Sequence, residues 1–214
     1  MRRSADERTT VDVHVLVTGF ENFDGVPSNP SERLVAALPA KIAGVEIRKE
    51  VLSVDVETVQ AQLTPLYAER PAIAVHLGVA ARRKQISLEQ RAANWIAFDT
   101  PDNAGHRESG RPIKHDAPEL IQTRLPIDAI EKRLSARGIP VNISRNAGRF
   151  ICNLVMFDSL RRLPTSVQTG FIHVPPDEEL SEALGRHCYV SFAQMLEAVV
   201  EAIGATSNGV ATVS

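Results

Sequence analysis

Short apolar segments and longer amphipathic segments alternate along the chain. An apolar run bounded by turn-forming residues predicts a buried strand, whereas apolar positions that recur every three or four residues predict a helix. The strands predicted in this way cover residues 11–18, 45–52, 72–77 and 141–144. The predicted helices cover residues 54–68, 125–136 and 191–203. Strands that alternate with helices predict an α/β fold, here a single three-layer α/β/α domain around a mainly parallel, twisted central sheet.

The two ends of the chain set the expected limits of this domain. Residues 1–10 are charged and polar and predict a disordered lead-in. Gly204 follows the amphipathic pattern of residues 191–203, and a glycine in this place commonly ends a helix. The small and polar residues 205–214 predict a frayed tail. The domain is therefore expected to span residues 11–204.

Composition and charge argue against several classes of protein. The 214 residues are 43% hydrophobic and 23% charged, which is typical of a globular protein with a sizeable core. A formal net charge of −2 argues against a nucleic-acid-binding protein, because such binding relies on cations that neutralise phosphates. The nearest approach to a basic patch is Arg82, Arg83 and Lys84, which we interpret as a solvated loop.

The expected compartment is the cytoplasm. No window of the sequence is apolar enough to span a membrane, and the N-terminal residues lead into no signal-like apolar segment. We therefore expect no membrane partner. The chain contains two cysteines, Cys152 and Cys188. In a reducing compartment both are expected to be free thiols.

The most informative stretch covers residues 141–163. A short strand is followed by a tight turn at Asn146, Ala147 and Gly148, and then by a helical pattern with Cys152 at its mouth. The unpaired N–H groups and the dipole of a helix N-terminus favour a thiolate, which is the nucleophilic form of cysteine. Taken alone, the segment fits a small buried hydrophobic cysteine even better, because most free cysteines have that role.

A histidine that could activate the thiol lies downstream. His173 ends an apolar run and precedes two prolines, which predicts a position at the tip of a strand. A cysteine at a helix N-terminus and a histidine at a strand end form a workable thiol–imidazole pair. His76 lies inside the strand predicted for residues 72–77, so we interpret it as a buried, hydrogen-bonded side chain. Glu89 lies on a partly apolar segment, and its position alone gives little support for a functional role.

Two loops are candidates for a binding surface. The turn-rich segment 19–30 carries Phe20 and Phe23, which could form a binding wall, although aromatic residues fold back onto the core more often. Asn29 or Ser31 stands where a helix cap is expected. The polar segment 95–110 predicts a long loop. Because no His, Cys or Asp cluster has ligand spacing, we expect neither a metal nor another cofactor.

Several motifs together resemble the pyroglutamyl-peptidase I (pyrrolidone-carboxyl peptidase) family of cysteine peptidases. They occur in order and cover nearly the whole chain. The motifs are V-L-V-T-G-F-E-N-F at 15–23, N-P-S at 29–31, L-E-Q-R-A-A-N at 88–94, P-D-N-A-G at 101–105, L-P-I at 125–127, G-I-P at 138–140, A-G-R-F-I-C-N at 147–153 and G-F-I-H-V-P at 170–175.

The resemblance implies a function and a set of roles. It implies removal of an N-terminal pyroglutamyl residue from a peptide or small amide, a fold of the α/β class, and possible assembly as a homotetramer. It places the nucleophile at Cys152, the base at His173, and the carboxylate that orients the base at Glu89. It assigns ligand-binding positions to Phe20, Phe23, Asn29, Val79, Phe150 and Ile151. The backbone N–H of Cys152 is the expected oxyanion donor.

Three positions near the expected chemistry depart from the family. Val79 replaces a glutamine that contributes to ligand binding, Asp99 replaces an arginine, and Thr100 replaces an apolar residue. These departures leave two alternatives open. One is a thiol amidohydrolase that acts on a different small cyclic or acyl substrate. The other is a binding protein on the same fold with weak catalytic activity.

Overall fold

The computed structural model describes residues 14–23 and 28–210, without the side chains of residues 208–210. The lead-in predicted for residues 1–10 therefore lies outside the described residues. The strands are β1 (His14–Phe20), β2 (Lys41–Ile42), β3 (Val45–Leu52), β4 (Ile73–Val79), β5 (Ile86–Glu89), β6 (Arg91–Ala93), β7 (Ile96–Phe98), β8 (Glu108–Arg111), β9 (Leu120–Gln122), β10 (Val141–Ser144) and β11 (Gln168–Val174). The helices are α1 (Pro30–Ala37), α2 (Val56–Ala68), α3 (Ile127–Ser135), α4 (Ile151–Arg162), α5 (Glu178–Ala183) and α6 (Phe192–Val210).

A seven-stranded sheet with the order β10-β5-β11-β4-β1-β3-β2 forms the centre of the molecule. Most neighbouring strands are parallel, as in the pairs β1–β3, β1–β4, β4–β11 and β5–β10. The pairs β5–β11 and β2–β3 are antiparallel. The prediction of a mainly parallel sheet in an α/β fold is confirmed. Strand β5 joins two sets of strands of opposite direction, and the candidate active site lies beside it.

Helices cover both faces of this sheet and so form the two outer layers of the three-layer arrangement. Successive side chains of β1 point to opposite faces, so Val15 and Val17 pack with α1, α3 and α6, whereas Leu16 packs with α2 and α4. All three side chains are fully buried. A strand that is buried on both faces reads as a continuous apolar run, which explains why it was recognisable from the sequence.

The segment that predicted a long loop contains a hairpin instead. Strands β7 and β8 pair antiparallel across residues 96–111. Ile96 and Phe98 are buried and Ala97 between them is half-buried, and this alternation gives the strand one face on the core. The backbone N–H of Ala97 also donates to the carbonyl of Arg149, 2.9 Å away. The hairpin therefore supports the turn that precedes α4.

The prediction that Gly204 ends the last helix is wrong. Helix α6 continues through Gly204 to Val210, so the frayed tail predicted from residue 205 does not begin there. Thr206 and Ser207 are buried, and their hydroxyls donate to the carbonyls of Ala202 and Ile203 at 2.8 and 2.9 Å. A glycine inside a helix costs roughly 1 kcal/mol. Burial of the next turn against the core offsets that cost.

Replacing Gly204 by alanine is expected to raise the free energy of unfolding by about 0.5–1 kcal/mol, because the unfolded chain loses conformational freedom. The nearest atom to an added Cβ outside the helix backbone is an Arg133 nitrogen at 3.9 Å, so nothing has to move. Urea titration monitored by circular dichroism measures the change. Gly185→Ala is the matched control, since Gly185 has φ +60° and alanine there is strained. A destabilised Gly204→Ala variant would contradict the interpretation of this helix.

Candidate active site

Cys152 is the second residue of α4, as the sequence predicted. The turn after β10 bends at Gly148, which has φ +84° and donates its N–H to the Asn146 side-chain oxygen at 3.0 Å. Phe150 then takes the N-cap position without a side-chain capping hydrogen bond. The first N–H groups of a helix have no partner inside it. The start of α4 therefore presents backbone donors beside the thiol.

His173 lies near the end of the central strand β11, with 5% of its surface exposed. Its Nδ1 is 2.8 Å from Glu89 Oε1. Glu89 is the last residue of β5 and is completely buried. Because β5 runs antiparallel to β11, with Ser87 opposite His173, the end of β5 brings this carboxylate beside the imidazole ring. The structure thus places together two residues that are 84 positions apart in the chain.

The thiol lies beside the neighbouring strand β4. Gly78 on β4 pairs with His173 in the strand register. A Cβ added to Gly78 would stand 3.0 Å from Cys152 Sγ and 2.8 Å from the Phe171 ring. The missing side chain at this glycine makes room for the sulfur next to the strand that carries the histidine. Cys152 and His173 consequently line one cavity.

That cavity has a volume of about 140 Å³. Ligand sites for drug-sized molecules are larger, from about 300 Å³ upwards, so this cavity suits a small group. All the predicted ligand-binding residues lie in its wall, together with the thiol and the imidazole. The lining consists of Phe20, Phe23, Asn29, Val54, Val79, Ala147, Phe150, Ile151, Cys152 and His173. Val54 and Ala147 were not among the predicted residues, because an isolated small apolar residue at a turn carries no distinguishing pattern.

The aromatic wall is held by ring contacts. Phe23 and Phe150 have centroids 6.0 Å apart, and Phe150 meets Phe98 edge-on at 4.7 Å. Phe20 is 3% exposed and its centroid is 6.4 Å from that of Phe171. Phe20 therefore belongs to both the core and the cavity, and the two interpretations of this loop are compatible.

Asn29 also has two roles. Its side-chain oxygen accepts the N–H of Ser31 at 3.0 Å and so caps α1, while its amide donates to the Glu21 carbonyl at 3.0 Å. The side chain is 1% exposed. These bonds join the start of α1 to Glu21, next to Phe20. The helix-cap interpretation is confirmed, and the cap lies in the cavity wall.

The protonation states follow from burial. Burial raises the pKa of Cys152 to about 12, and the charge of Glu89 acts in the same direction. Burial also lowers the pKa of His173, against the opposing effect of Glu89. Burial acts to raise the pKa of Glu89, but the hydrogen bonds from His173 and Ser144 and the Arg83 charge outweigh it, so this pKa is lowered. At neutral pH the site therefore holds a thiol, a neutral imidazole and a carboxylate.

These surroundings do not favour a standing thiolate at the helix start. Since the ionised Glu89 can only accept, His173 donates from Nδ1 and keeps a lone pair on Nε2. That lone pair can take the thiol proton at the moment of attack. The imidazole is therefore the candidate for the group that activates the thiol.

The basic run also differs from its predicted role. Arg82 and Lys84 are exposed, as expected of a solvated loop. Arg83 instead turns inward, with one guanidinium nitrogen 2.5 Å from Glu89 Oε1 and another 2.8 Å from the Asn146 carbonyl. The interpretation of this residue as part of a solvated loop is wrong, because a buried carboxylate requires a cationic partner.

Other titratable candidates lie away from the chemistry. His76 is fully buried, bonds Thr18 Oγ1 through Nδ1 at 2.9 Å, and has its pKa lowered to about 3 by burial. It is the structural histidine that the sequence predicted. Asp99 and Thr100 are exposed and do not line the cavity. Of the three departures from the family, only Val79 contacts the site.

The part of the chain that the structure describes contains neither a metal-binding cluster nor a membrane-spanning helix. No group of three or more His, Cys, Asp or Glu side chains within residues 14–23 and 28–210 could hold a metal ion. None of the helices in that part of the chain combines the length and the apolar character needed to cross a bilayer.

A thiol at a helix start, a buried imidazole and a carboxylate behind it form the arrangement of a cysteine-dependent hydrolase. Comparison with known proteins agrees. The pyroglutamyl peptidase family model matches residues 13–209. The chain belongs to this family, whose members are cysteine-type exopeptidases.

Individual relatives support the same assignment. The chain is 40% identical over 178 residues to the pyrrolidone-carboxylate peptidase of Pyrococcus furiosus, covering 80% of this chain and 86% of that protein. It is 35% identical to the enzyme of the same name from Enterococcus faecalis, covering 88% and 89% of the two chains. The crystal structure of pyrrolidone carboxyl peptidase from Thermus thermophilus superposes with a TM-score of 0.86 at 38% identity, covering 89% of this chain and 98% of that one.

The site geometry predicts how the two thiols react with iodoacetamide. Cys152 is expected to be alkylated faster than Cys188 near neutral pH, because only Cys152 has an imidazole in the same cavity. In His173→Ala this advantage should disappear, since burial then opposes the thiolate without a base. Peptide mapping by mass spectrometry measures both rates, and Cys188 serves as the internal control. An unchanged Cys152 rate in His173→Ala would contradict activation by the imidazole.

Proposed function

We propose that this protein hydrolyses the bond after an N-terminal pyroglutamyl residue, with Cys152, His173 and Glu89 as its catalytic residues. The observation that carries the proposal is the small apolar cavity that contains the thiol and the imidazole, with Glu89 bonded to the far side of the ring. The relatives named above share the family and are named for this reaction.

The reaction begins with proton transfer from Cys152 Sγ to His173 Nε2 as the sulfur attacks the carbonyl carbon of the pyroglutamyl residue. The tetrahedral intermediate collapses when the C–N bond breaks, and His173 returns the proton to the leaving amine. A thioester of the pyroglutamyl group remains on Cys152. Water, deprotonated by His173, then attacks that thioester and releases pyroglutamate and the thiol.

Two features stabilise the charges that develop during the reaction. The backbone N–H of Cys152, at the uncapped start of α4, is placed to donate to the oxygen that becomes negative during attack. Glu89 holds His173 in the tautomer with Nδ1 protonated and stabilises the imidazolium that forms. Neither group has to move, because both are fixed by regular secondary structure.

The pyroglutamyl ring is expected to lie between the aromatic rings of the cavity. Phe20, Phe23, Phe150 and Ile151 offer an apolar surface of suitable size. The lactam N–H and carbonyl of the ring need partners once they leave water. Val79 supplies none, and the Asn29 side chain is committed to its own loop through Ser31 and Glu21. We infer that backbone groups of the cavity wall bind part of the lactam and leave one of its polar groups without a partner.

A second candidate function rests on Val79. An apolar side chain where a polar one would contact the ring favours a thiol amidohydrolase whose small cyclic or acyl substrate has one polar group fewer. A binding protein with weak catalytic activity is the third candidate, and the intact hydrogen bond between Glu89 and His173 counts against it. A panel of fluorogenic amides of pyroglutamate, proline and acetylated amino acids separates the three.

The setting of the enzyme is proposed from the family resemblance. We propose that it works in the cytoplasm, where its two free cysteines remain reduced, and that it assembles as a homotetramer. Light scattering after size-exclusion chromatography measures the assembly directly.

The catalytic residues are expected to act as a unit. Cys152→Ser and His173→Ala should each lower kcat on a pyroglutamyl amide by more than ~10²-fold, because each removes a group that exchanges the proton. Glu89→Gln should retain part of the activity, since Glu89 orients and does not react. Cys188→Ser is the matched control and should keep the wild-type rate. Loss of activity in His76→Ala with full activity in His173→Ala would overturn the choice of base.

Val79 provides a test of the substrate. An unpaired buried polar group costs about 1–3 kcal/mol, roughly ten- to a hundredfold in binding. We expect measurable but weak wild-type activity on pyroglutamyl amides, and a gain in kcat/KM for Val79→Gln. Asp99→Arg alone should change little, because Asp99 is exposed and outside the cavity. The double variant shows whether the two positions couple. An efficient wild type that Val79→Gln only damages would show that the backbone alone binds the lactam.

A further inference from the structure

Arg83 stands apart from its neighbours in the basic run. Arg82 and Lys84 are exposed, whereas the Arg83 side chain is 26% exposed and extends over the buried Glu89. It reaches Glu89 from the connection between β4 and β5. Arg83 itself lies outside the wall of the substrate cavity. Any effect of this residue on the reaction is therefore exerted through another group.

The guanidinium donates in two directions. One nitrogen contacts Glu89 Oε1 at 2.5 Å, and this is the same oxygen that His173 Nδ1 contacts at 2.8 Å. The other nitrogen contacts the carbonyl oxygen of Asn146 at 2.8 Å. A planar guanidinium suits such a bridge because its donors have fixed directions, whereas an ammonium group lacks that geometry.

The second contact reaches the turn that shapes the cavity. Asn146 is followed by Ala147, which lines the cavity. The Asn146 side-chain oxygen accepts the N–H of Gly148 at 3.0 Å. The same turn leads to the start of α4 and Cys152. Arg83 thus connects the carboxylate behind the base with the segment in front of the nucleophile.

We propose that Arg83 is a positioning residue for the reaction, which holds Glu89 against His173 and ties this pair to the turn that leads to Cys152. The proposal rests on the proposed function for its kinetic consequences, but not for its geometry. Arg83 makes no contact with substrate in this account. It supplies the fixed cation that lets a fully buried carboxylate remain ionised beside an imidazole.

The charge of Arg83 influences every titrating group of the site in one direction. The groups around His173 are Glu89 from β5, Cys152 from α4 and Arg83 itself, while His76 on β4 is separated from it by the Phe171 ring. Arg83 lowers the pKa of His173, of Glu89 and of Cys152. Removing the cation should therefore raise all three. The acid limb of the pH profile, where His173 becomes protonated and stops acting as a base, should move to higher pH.

The experiment compares Arg83→Gln, Arg83→Lys and wild type with two readouts. The first is the pH dependence of kcat/KM on a pyroglutamyl amide, with kcat and KM resolved separately. The second is the pH dependence of Cys152 alkylation by iodoacetamide, which requires no substrate. Arg82→Gln is the matched control, since it removes the same charge from the neighbouring exposed position.

In Arg83→Gln we expect kcat to fall more than KM rises, and the acid limb of Cys152 alkylation to move to higher pH, so that alkylation at a fixed pH on that limb becomes slower. In Arg83→Lys we expect the wild-type pH profile with only part of kcat restored, because lysine keeps the charge but loses the two-directional contact. Arg82→Gln should match wild type in both readouts.

Several outcomes would overturn the proposal. A folded Arg83→Gln variant with wild-type kcat and an unshifted alkylation profile would show that the ion pair is only structural. If Arg83→Gln does not fold, Arg83→Lys decides: wild-type kcat and KM in that variant would contradict the need for a guanidinium. The proposed function would be overturned if the wild type cleaved no pyroglutamyl amide. The role of Arg83 would still stand if the alkylation profile of Arg83→Gln were shifted from that of the wild type as expected.

Discussion

The hydrogen bond between Glu89 and His173 is the contact on which the rest of the site depends. It exists because β5 enters the sheet antiparallel to β11 and ends beside it, with a completely buried carboxylate 2.8 Å from the imidazole. Burial would neutralise an isolated carboxylic acid. The imidazole N–H and the Arg83 guanidinium keep it ionised. The tautomer of His173, and with it the free lone pair on Nε2, follows from this one contact.

The surroundings of the thiol bear on how the cysteine is activated. A helix N-terminus contributes only about 0.3–1 kcal/mol to a nearby anion. Burial and the Glu89 charge raise the pKa of Cys152, and a backbone hydrogen bond and Arg83 oppose this rise without reversing it. We therefore propose that His173 removes the thiol proton and that the helix start stabilises the oxyanion.

Local patterns predicted those parts of the structure that local forces determine. The apolar run of β4, the strand at residues 141–144 and the turn before Cys152 were recognisable because the hydrophobic period and the turn chemistry agree there. The prediction that the last helix ends at Gly204 was wrong, because burial of the following turn outweighs the weak preference of glycine for helix ends. The direction of β5 and the inward turn of Arg83 depend on pairing with distant segments, and no local pattern encodes either. Glu89 was assigned only through the family resemblance for the same reason.

The central claim is that Cys152 carries the acyl group during turnover. The direct test is to stop the reaction on a pyroglutamyl ester within milliseconds of mixing and to locate the modified residue by peptide mapping. The account predicts a pyroglutamyl thioester on Cys152 that forms before the product and decays as the product accumulates, with Cys188 unmodified. An enzyme that turns over fully while Cys152 stays unmodified under these conditions, or that carries the adduct on Cys188, would contradict it.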